Sequence, residues 1–176
     1  MVGLPGSGKT TLAHSLLTER RAVLLSPDEW MLPLFGSTYT DQEHDVLEGR
    51  LLALGFDVLR AGVDVIVDFG LWARDERTAL RALAADADFA CVVHYLEIEE
   101  SERRRRIEAR YASHPLDTYW MSDDDILRQA TVFEIPSADE LSEGGPLDTA
   151  PAGFPSWHAW ACSRWPSFEL QDAADP

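Results

Sequence analysis

The sequence predicts an α/β fold in which a parallel sheet is covered by helices on both faces, giving three layers in the order α/β/α. Short apolar runs alternate along the chain with longer segments whose apolar residues recur at helical spacing. A glycine-rich segment near the start leads directly into one of these helical segments. Two aspartates, Asp28 and Asp68, lie at or just beyond the ends of predicted strands. Such alternation is typical of parallel sheets, which gather ligand groups at the carboxyl ends of their strands.

The glycine-rich segment, residues 3–10, reads G-L-P-G-S-G-K-T and matches the phosphate-binding motif G-x-x-x-x-G-K-[ST] in full. Glycines allow successive backbone N–H groups to turn toward one anion. Lys9 is the only lysine in a chain with 15 lysines and arginines, which indicates that this position needs an ammonium group. Lys9 is expected to reach the β- and γ-phosphates of a nucleotide, and Thr10 to bind Mg²⁺. The predicted nucleotide-binding residues are Gly3, Leu4, Pro5, Gly6, Ser7, Gly8, Lys9, Thr10 and Thr11.

Regular structure is expected on both sides of this loop. Leu12 and Leu16 lie at helical spacing and predict a helix over residues 11–20, whose positive N-terminus faces the phosphates. A strand normally feeds a loop of this kind, yet only two residues precede it here. We therefore predict that the first strand is truncated and that the chain starts inside it.

The next two elements are a strand and a long helix. An apolar run over residues 22–26 predicts a buried strand, and Asp28 follows just beyond its carboxyl end. Thr40 and Glu43 form a capping-box pattern, and the leucines after them predict a helix that continues to Gly62.

The strongest predicted strand is the run V-D-V-I-V-D at residues 63–68, which ends in an acid. A helix is predicted over residues 74–85. The apolar run at residues 89–98 predicts a further strand. The order strand, helix, strand supports the parallel sheet.

The remainder of the chain carries weaker signals. A helix is predicted over residues 102–111, capped by Ser101, and another over residues 122–133, which starts at Ser122. The segment that follows is rich in proline and has no clean period, so we predict a loop-rich tail. The predicted organisation is a domain over residues 1–140 and a tail over 141–176.

Two carboxylates are candidates for chemistry at the strand ends. Asp68 ends an apolar strand in the manner of a Walker B element and is expected to hold Mg²⁺ together with Thr10. The alternative is an ordinary acid at the end of a buried strand. Asp28 is expected to accept the proton of an attacking hydroxyl group. Its alternative is a helix cap or turn former after Pro27.

Arginine is concentrated in one predicted helix. Residues 103–106 are all arginine and Arg110 follows one turn later, an arrangement that carries a cost in repulsion. An anionic partner would offset that cost, so Arg106 and Arg110 are predicted to close over a nucleotide and stabilise the moving phosphoryl group. The alternative is a solvated face paired with neighbouring glutamates. Arg74 and Arg77 are further candidates for substrate or phosphate contact.

Composition argues against several function classes. The net charge of −16 opposes attraction to nucleic acid or anionic membranes. The five histidines show no ligand spacing, and Cys91 and Cys162 lie far apart, so neither a zinc site nor a disulfide framework is indicated. No apolar run approaches the roughly 18 residues of a membrane span, and no secretory signal pattern is present. We therefore expect a cytoplasmic protein that does not bind membranes.

These motifs together resemble a known group of proteins. G-L-P-G-S-G-K-T-T, S-P-D-E-W at 26–30, V-I-V-D-F-G at 65–70 and R-R-R-R-I-E-A-R at 103–110 are similar to segments of small ATP-binding P-loop kinases. These kinases are often labelled AAA-type ATPases, and they are related to the chloramphenicol phosphotransferase, zeta toxin and polynucleotide kinase families. The resemblance covers roughly residues 2–140 and is most specific in the phosphate loop.

The resemblance implies a nucleoside or nucleotide kinase-like P-loop NTPase fold, with ATP and Mg²⁺ as cofactors. It implies that Lys9 and Thr10 contact phosphate and Mg²⁺, that Asp28 is the base near the acceptor, and that an arginine within 103–110 contacts the nucleotide from a lid. The expected activity is transfer of the γ-phosphate of ATP to a hydroxyl group of a small molecule. The alternatives are an ATP hydrolase, a non-catalytic nucleotide-binding module, and a kinase of nucleic-acid ends, against which the net charge argues.

Overall fold

A computed structural model describes residues 1–36, 39–113 and 121–169 of the chain. In chain order, the regular elements of this described part are α1 (Lys9–Glu19), β1 (Ala22–Leu25), α2 (Pro27–Phe35), α3 (Asp41–Arg60), β2 (Asp64–Val67), α4 (Arg74–Asp86), α5 (Glu100–Ser113), α6 (Asp123–Val132), α7 (Ala138–Leu141) and α8 (Trp157–Arg164).

The sheet is small and parallel. β1 and β2 pair over their whole length, from Ala22 opposite Asp64 to Leu25 opposite Val67. Helix α3 packs against both strands, and α1 packs against β1. The α/β class and the parallel sheet are thus confirmed, while the three-layer arrangement stays a prediction.

Val2 extends the sheet on the far side of β2. It forms isolated parallel bridges with Gly70, just after β2, and with Tyr95. The amino group of Met1 donates to the carbonyl oxygen of Val67 at 2.6 Å. Met1 and Val2 therefore lie between two extended segments, where the first strand was predicted.

The prediction of a regular strand over residues 89–98 is wrong. Its backbone is bonded to the sheet only around Val2, which donates to His94 at 2.8 Å and accepts from Leu96 at 3.0 Å. A strand needs a neighbouring strand to complete its ladder of hydrogen bonds, and Val2 supplies one residue of such a partner. Beside the unpaired stretch lies a mainly apolar cavity of about 520 Å³, lined also by β2.

The helices predicted from periodicity and caps are present to within a few residues at their ends. At the start of α3, the Thr40 side chain accepts from the Glu43 N–H at 3.3 Å, and the Glu43 carboxylate accepts from the Thr40 N–H at 2.7 Å. Ser122 and Asp125 make the same reciprocal pair at the start of α6. These caps satisfy backbone donors that have no partner inside the helix.

Three helices of the described chain, α2, α7 and α8, were not predicted. Helix α2 begins directly after β1, with Ser26 at its N-cap and Pro27 in its first turn. Proline suits this position because its missing N–H would have no helical partner there. Helix α8 lies in the segment predicted as a loop-rich tail, with Ser156 capping its first turn.

The tail contributes to the main hydrophobic core. Trp157, Trp165 and Phe168 are buried in one cluster with Leu52 of α3 and Leu83 of α4. Segments far apart in sequence therefore share one buried interior. The domain boundary at residue 140 stays a prediction. Within the part of the chain that the structure describes, no helix is both long and apolar enough to cross a membrane.

Candidate functional site

The phosphate loop takes a conformation that only glycine tolerates well. Gly6 and Gly8 have φ values of +85° and +98°, and Gly8 is the N-cap of α1. A Cβ atom on Gly3 would lie 2.7 Å from Ser7 Oγ and 2.8 Å from the Leu96 carbonyl oxygen. The glycines therefore bring the backbone N–H groups and the N-terminus of α1 to one concave surface, which suits an anion.

Thr10 and Asp68 meet beside this loop. The Thr10 hydroxyl donates to Asp68 Oδ2 at 2.9 Å, which links the first turn of α1 to the residue that follows β2. Asp68 is buried, and its Oδ1 atom has no hydrogen-bond partner among the described residues. An unpartnered buried carboxylate oxygen is costly, whereas Mg²⁺ prefers hard oxygen ligands of this kind. The pair therefore fits the predicted metal ion, although its role stays a prediction.

Lys9 and Ser7 add further polar groups to the loop. Lys9 Nζ donates to the Leu4 carbonyl oxygen at 3.3 Å. Burial lowers the pKa of Lys9, and the negative charges of Asp68 and Asp28 partly oppose this effect. A bound phosphate would oppose it further because it favours the charged ammonium. Ser7 Oγ is buried and has no partner in the described structure.

Asp28 reaches the same space from another element. It lies exposed in the first turn of α2, immediately after β1. A cleft of about 1,090 Å³ is lined by Asp28 together with Lys9, Thr10 and Asp68. The structure thus brings the predicted base and the predicted phosphate and metal residues into one cavity.

Helix α5 places its arginines in three environments. Arg106 and Arg110 line the cleft, and Arg106 donates to the Gly6 carbonyl oxygen at 3.4 Å. Arg105 pairs with Glu102 at 2.7 Å on its own helix and is exposed to solvent. Arg103 is almost fully buried, with 1% of its surface exposed. Arg106 and Arg110 therefore lie where the predicted contact with a nucleotide needs them, whereas Arg105 fits the alternative of a solvated face paired with glutamates.

Arg77, a candidate for substrate or phosphate contact, lies elsewhere. It is buried, and its Nε donates to Glu140 Oε1 at 2.6 Å. Its Nη1 donates to the carbonyl oxygens of Leu71 and Trp72. These contacts join α4 to α7 and to the segment before α4, so the role of Arg77 is structural and the candidate assignment is wrong. Arg74 pairs with Asp148 at 2.8 Å.

Sequence reasoning missed an ionic cluster that also lines the cleft. Arg164 of α8 pairs with Asp45 at 2.5 Å, with Glu76 at 2.8 Å and with Glu48 at 3.4 Å. Burial raises the pKa of Glu48 to about 8, against the effects of Arg164 and of the hydrogen bond from Trp165. No local pattern indicates this cluster, because its members come from three helices far apart in sequence.

The same cluster contains a group with metal-ligand geometry. Ligand atoms of His44, Asp45 and Glu48 lie within 4.8 Å of one another. The one sequence signal was the spacing along α3, which places Glu48 one turn after His44 and Asp45. Arg164 already pairs with Asp45 and Glu48, and a guanidinium in this position opposes a cation.

Comparison with known proteins gives one finding for this chain. A family model described as AAA domain matches residues 1–136. The match covers the phosphate loop, both strands, Asp28, Asp68 and the arginines of α5, and it ends before α7. A search of the curated proteins finds no match.

Proposed function

Because the chain belongs to the AAA domain family of P-loop nucleotide-binding proteins, we propose that it is an ATP-dependent kinase that phosphorylates a hydroxyl group of a small molecule. The observation that carries this proposal is the single cleft shared by the phosphate loop, the Thr10–Asp68 pair and Asp28. A nucleotide-binding module needs the first two of these features. A free carboxylate facing them is what phosphoryl transfer to a hydroxyl needs in addition.

The nucleotide is held by the loop and the residues next to it. Backbone N–H groups of the phosphate loop and the ammonium group of Lys9 bind the phosphate oxygens; Pro5 has no N–H to offer, and the N–H of Ser7 donates to the Leu4 carbonyl oxygen. Thr10 and Asp68 hold Mg²⁺, which when bound neutralises charge on the β- and γ-phosphates. Arg106 and Arg110 approach the same cleft from α5 and stabilise negative charge on the transferring group.

Asp28 prepares the acceptor. Its carboxylate accepts the proton of the hydroxyl group as the hydroxyl oxygen forms a bond to the γ-phosphorus. The bond between the γ-phosphorus and the oxygen that bridges to the β-phosphate breaks, and ADP leaves with that electron pair. Exposure of Asp28 to the cleft supports this role, because an acceptor can reach it without rearrangement of the core. The net charge of −16 favours a small molecule over a polynucleotide.

The test compares wild type with Asp28→Asn in the transfer of γ-labelled phosphate from ATP to a panel of sugars, amino alcohols and nucleosides. We expect transfer to fall by about 10²- to 10⁴-fold, the usual contribution of a general base, while ATP affinity stays nearly unchanged. Glu29→Gln is the matched control, because Glu29 is the next residue in α2 but does not line the cleft. Full transfer by Asp28→Asn would remove Asp28 from the mechanism. Release of phosphate to water alone, whatever acceptor is added, would favour a hydrolase.

A further inference from the structure

Arg103 joins three parts of the molecule at the edge of the nucleotide cleft. Its Nε donates to the Pro5 carbonyl oxygen in the phosphate loop at 3.3 Å. Its Nη1 donates to the Ile126 carbonyl oxygen at 3.2 Å, and its Nη2 donates to Gln129 Oε1 at 2.7 Å, both in α6. A buried guanidinium with acceptors on two other elements holds those elements in one relative position.

This contact determines the orientation of the Gln129 amide. A guanidinium only donates, so the Gln129 atom facing Arg103 is the carbonyl oxygen. The amide nitrogen Nε2 therefore lies on the other branch of the side chain. In the described part of the chain, this nitrogen donates to no protein group. Gln129 is half-buried and lines the same cleft as Lys9, Arg106 and Arg110.

We propose that Gln129 contacts the nucleotide through its amide nitrogen, and that Arg103 is the positioning residue that presents this donor. The proposal rests on the proposed function only in requiring ATP in the cleft. The ligand chemistry is a hydrogen-bond acceptor, either a phosphate oxygen or a ring nitrogen of the base. Because Arg103 also holds Pro5, the donor has a defined position relative to the phosphate loop.

The test uses Gln129→Glu and measures ATP affinity by calorimetry. The glutamate keeps an oxygen for Arg103, and this contact becomes charge-assisted, so the melting temperature should be unchanged or higher. The donor becomes an acceptor, so ATP affinity should fall by about tenfold or more. Thr131→Glu is the control for added charge, because it is exposed on the same helix. A purely structural Gln129 predicts that Gln129→Glu binds ATP as tightly as Thr131→Glu does, and that result would overturn the proposal.

A second measurement isolates the positioning role. Gln129→Met removes the amide donor, and Arg103→Lys removes the guanidinium group that orients the Gln129 side chain. If Arg103 acts through Gln129, the losses of ATP affinity caused by Arg103→Lys and by Gln129→Met should be less than additive in the double variant, and the loss that Arg103→Lys still adds reports its contact with Pro5. Independent, additive losses would contradict the positioning role. Inorganic triphosphate separates the two ligand sources, since only a phosphate contact makes its affinity sensitive to Gln129→Met.

Failure of this inference is distinguishable from failure of the proposed function. Wild type that does not bind ATP would reject nucleotide binding itself. If wild type binds ATP, Lys9→Ala does not, and Gln129→Glu binds ATP as wild type does, only the role of Gln129 is rejected.

Discussion

Asp68 shows how one side chain can serve both the fold and the site. Its backbone N–H donates to the Leu25 carbonyl oxygen at 2.9 Å, which continues the ladder between the two strands. One carboxylate oxygen accepts from Thr10, and the other lies buried without a partner in the described structure. One oxygen of this buried carboxylate therefore lacks a hydrogen bond until a ligand binds to it.

Replacing Asp68 with Asn should raise the Mg²⁺ concentration needed for half-maximal ATP binding, by about tenfold, because an amide is a weaker and uncharged ligand for a hard cation. The measurement is a Mg²⁺ titration of ATP binding followed by calorimetry. Asp64→Asn is the control, since Asp64 is exposed at the other end of β2. An unchanged Mg²⁺ dependence in Asp68→Asn would exclude Asp68 from the metal site.

Residues of the site were predictable where their signal is local. Lys9 and Thr10 follow from an eight-residue motif, and Asp68 follows from its place at the end of an apolar strand. Arg164 and Glu48 were not predictable, because their pairing depends on how α8 packs over α3. Arg77 looked like its exposed neighbours in sequence, and only packing distinguishes it.

At the scale of elements, helix α5 tolerates its many arginines because they lie in different surroundings and have different partners. Arg103 faces the interior, Arg106 faces the cleft, and Arg105 faces solvent with Glu102. The pKa of Glu102 is lowered to about 2, chiefly by hydrogen bonds from Arg105 and Arg106. Glu102 thus reduces the repulsion around both Arg105 and Arg106, while Arg106 and Arg110 line the cleft where an anion would bind.

Nucleotide should therefore stabilise α5. We expect hydrogen exchange of backbone amides in residues 100–113 to slow on addition of a non-hydrolysable ATP analogue, because bound phosphate offsets the repulsion among arginines. Helix α4, which packs against α8, serves as the internal reference. Exchange in α5 that does not respond to the analogue while the analogue is bound would show that α5 is not a lid.

Helices and strands were predictable where the sequence of the segment itself carries the signal. Capping boxes and apolar periodicity located α3, α4 and α6. The apolar run at residues 89–98 looked like a strand, but a strand also needs a partner along its length, and among the described residues only Val2 pairs with it. Helix α8 has too little periodicity to be identified without the core that it covers.

At the scale of the whole molecule, the tail completes the core beneath the site. Trp165 has no exposed surface, and its indole N–H donates to Glu48 at 2.9 Å. Helix α8 packs on α4, and its Arg164 ties the tail to the acidic wall of the cleft. The tail therefore supports the geometry of the site without contributing to the motifs that identify it.

Trp165→Ala should lower the free energy of unfolding by about 3–5 kcal/mol, because it leaves a large cavity and removes a buried hydrogen bond. Denaturant unfolding followed by fluorescence or circular dichroism gives this quantity. Trp30→Ala is the matched control and should cost far less, since 45% of the Trp30 surface is exposed. Equal destabilisation by the two substitutions would mean that the tail does not pack as described.

The most direct test of the whole account is calorimetric titration of wild type and Lys9→Ala with ATP in the presence of Mg²⁺. Lys9 is the only lysine of the chain and lies at the end of the phosphate loop, so its removal deletes the one ammonium group available to the phosphates. We predict that wild type binds one ATP and that Lys9→Ala loses most of the affinity, whereas Arg105→Ala, which removes a solvent-facing cation, binds as wild type does. Equal ATP affinity in wild type and Lys9→Ala would contradict the account.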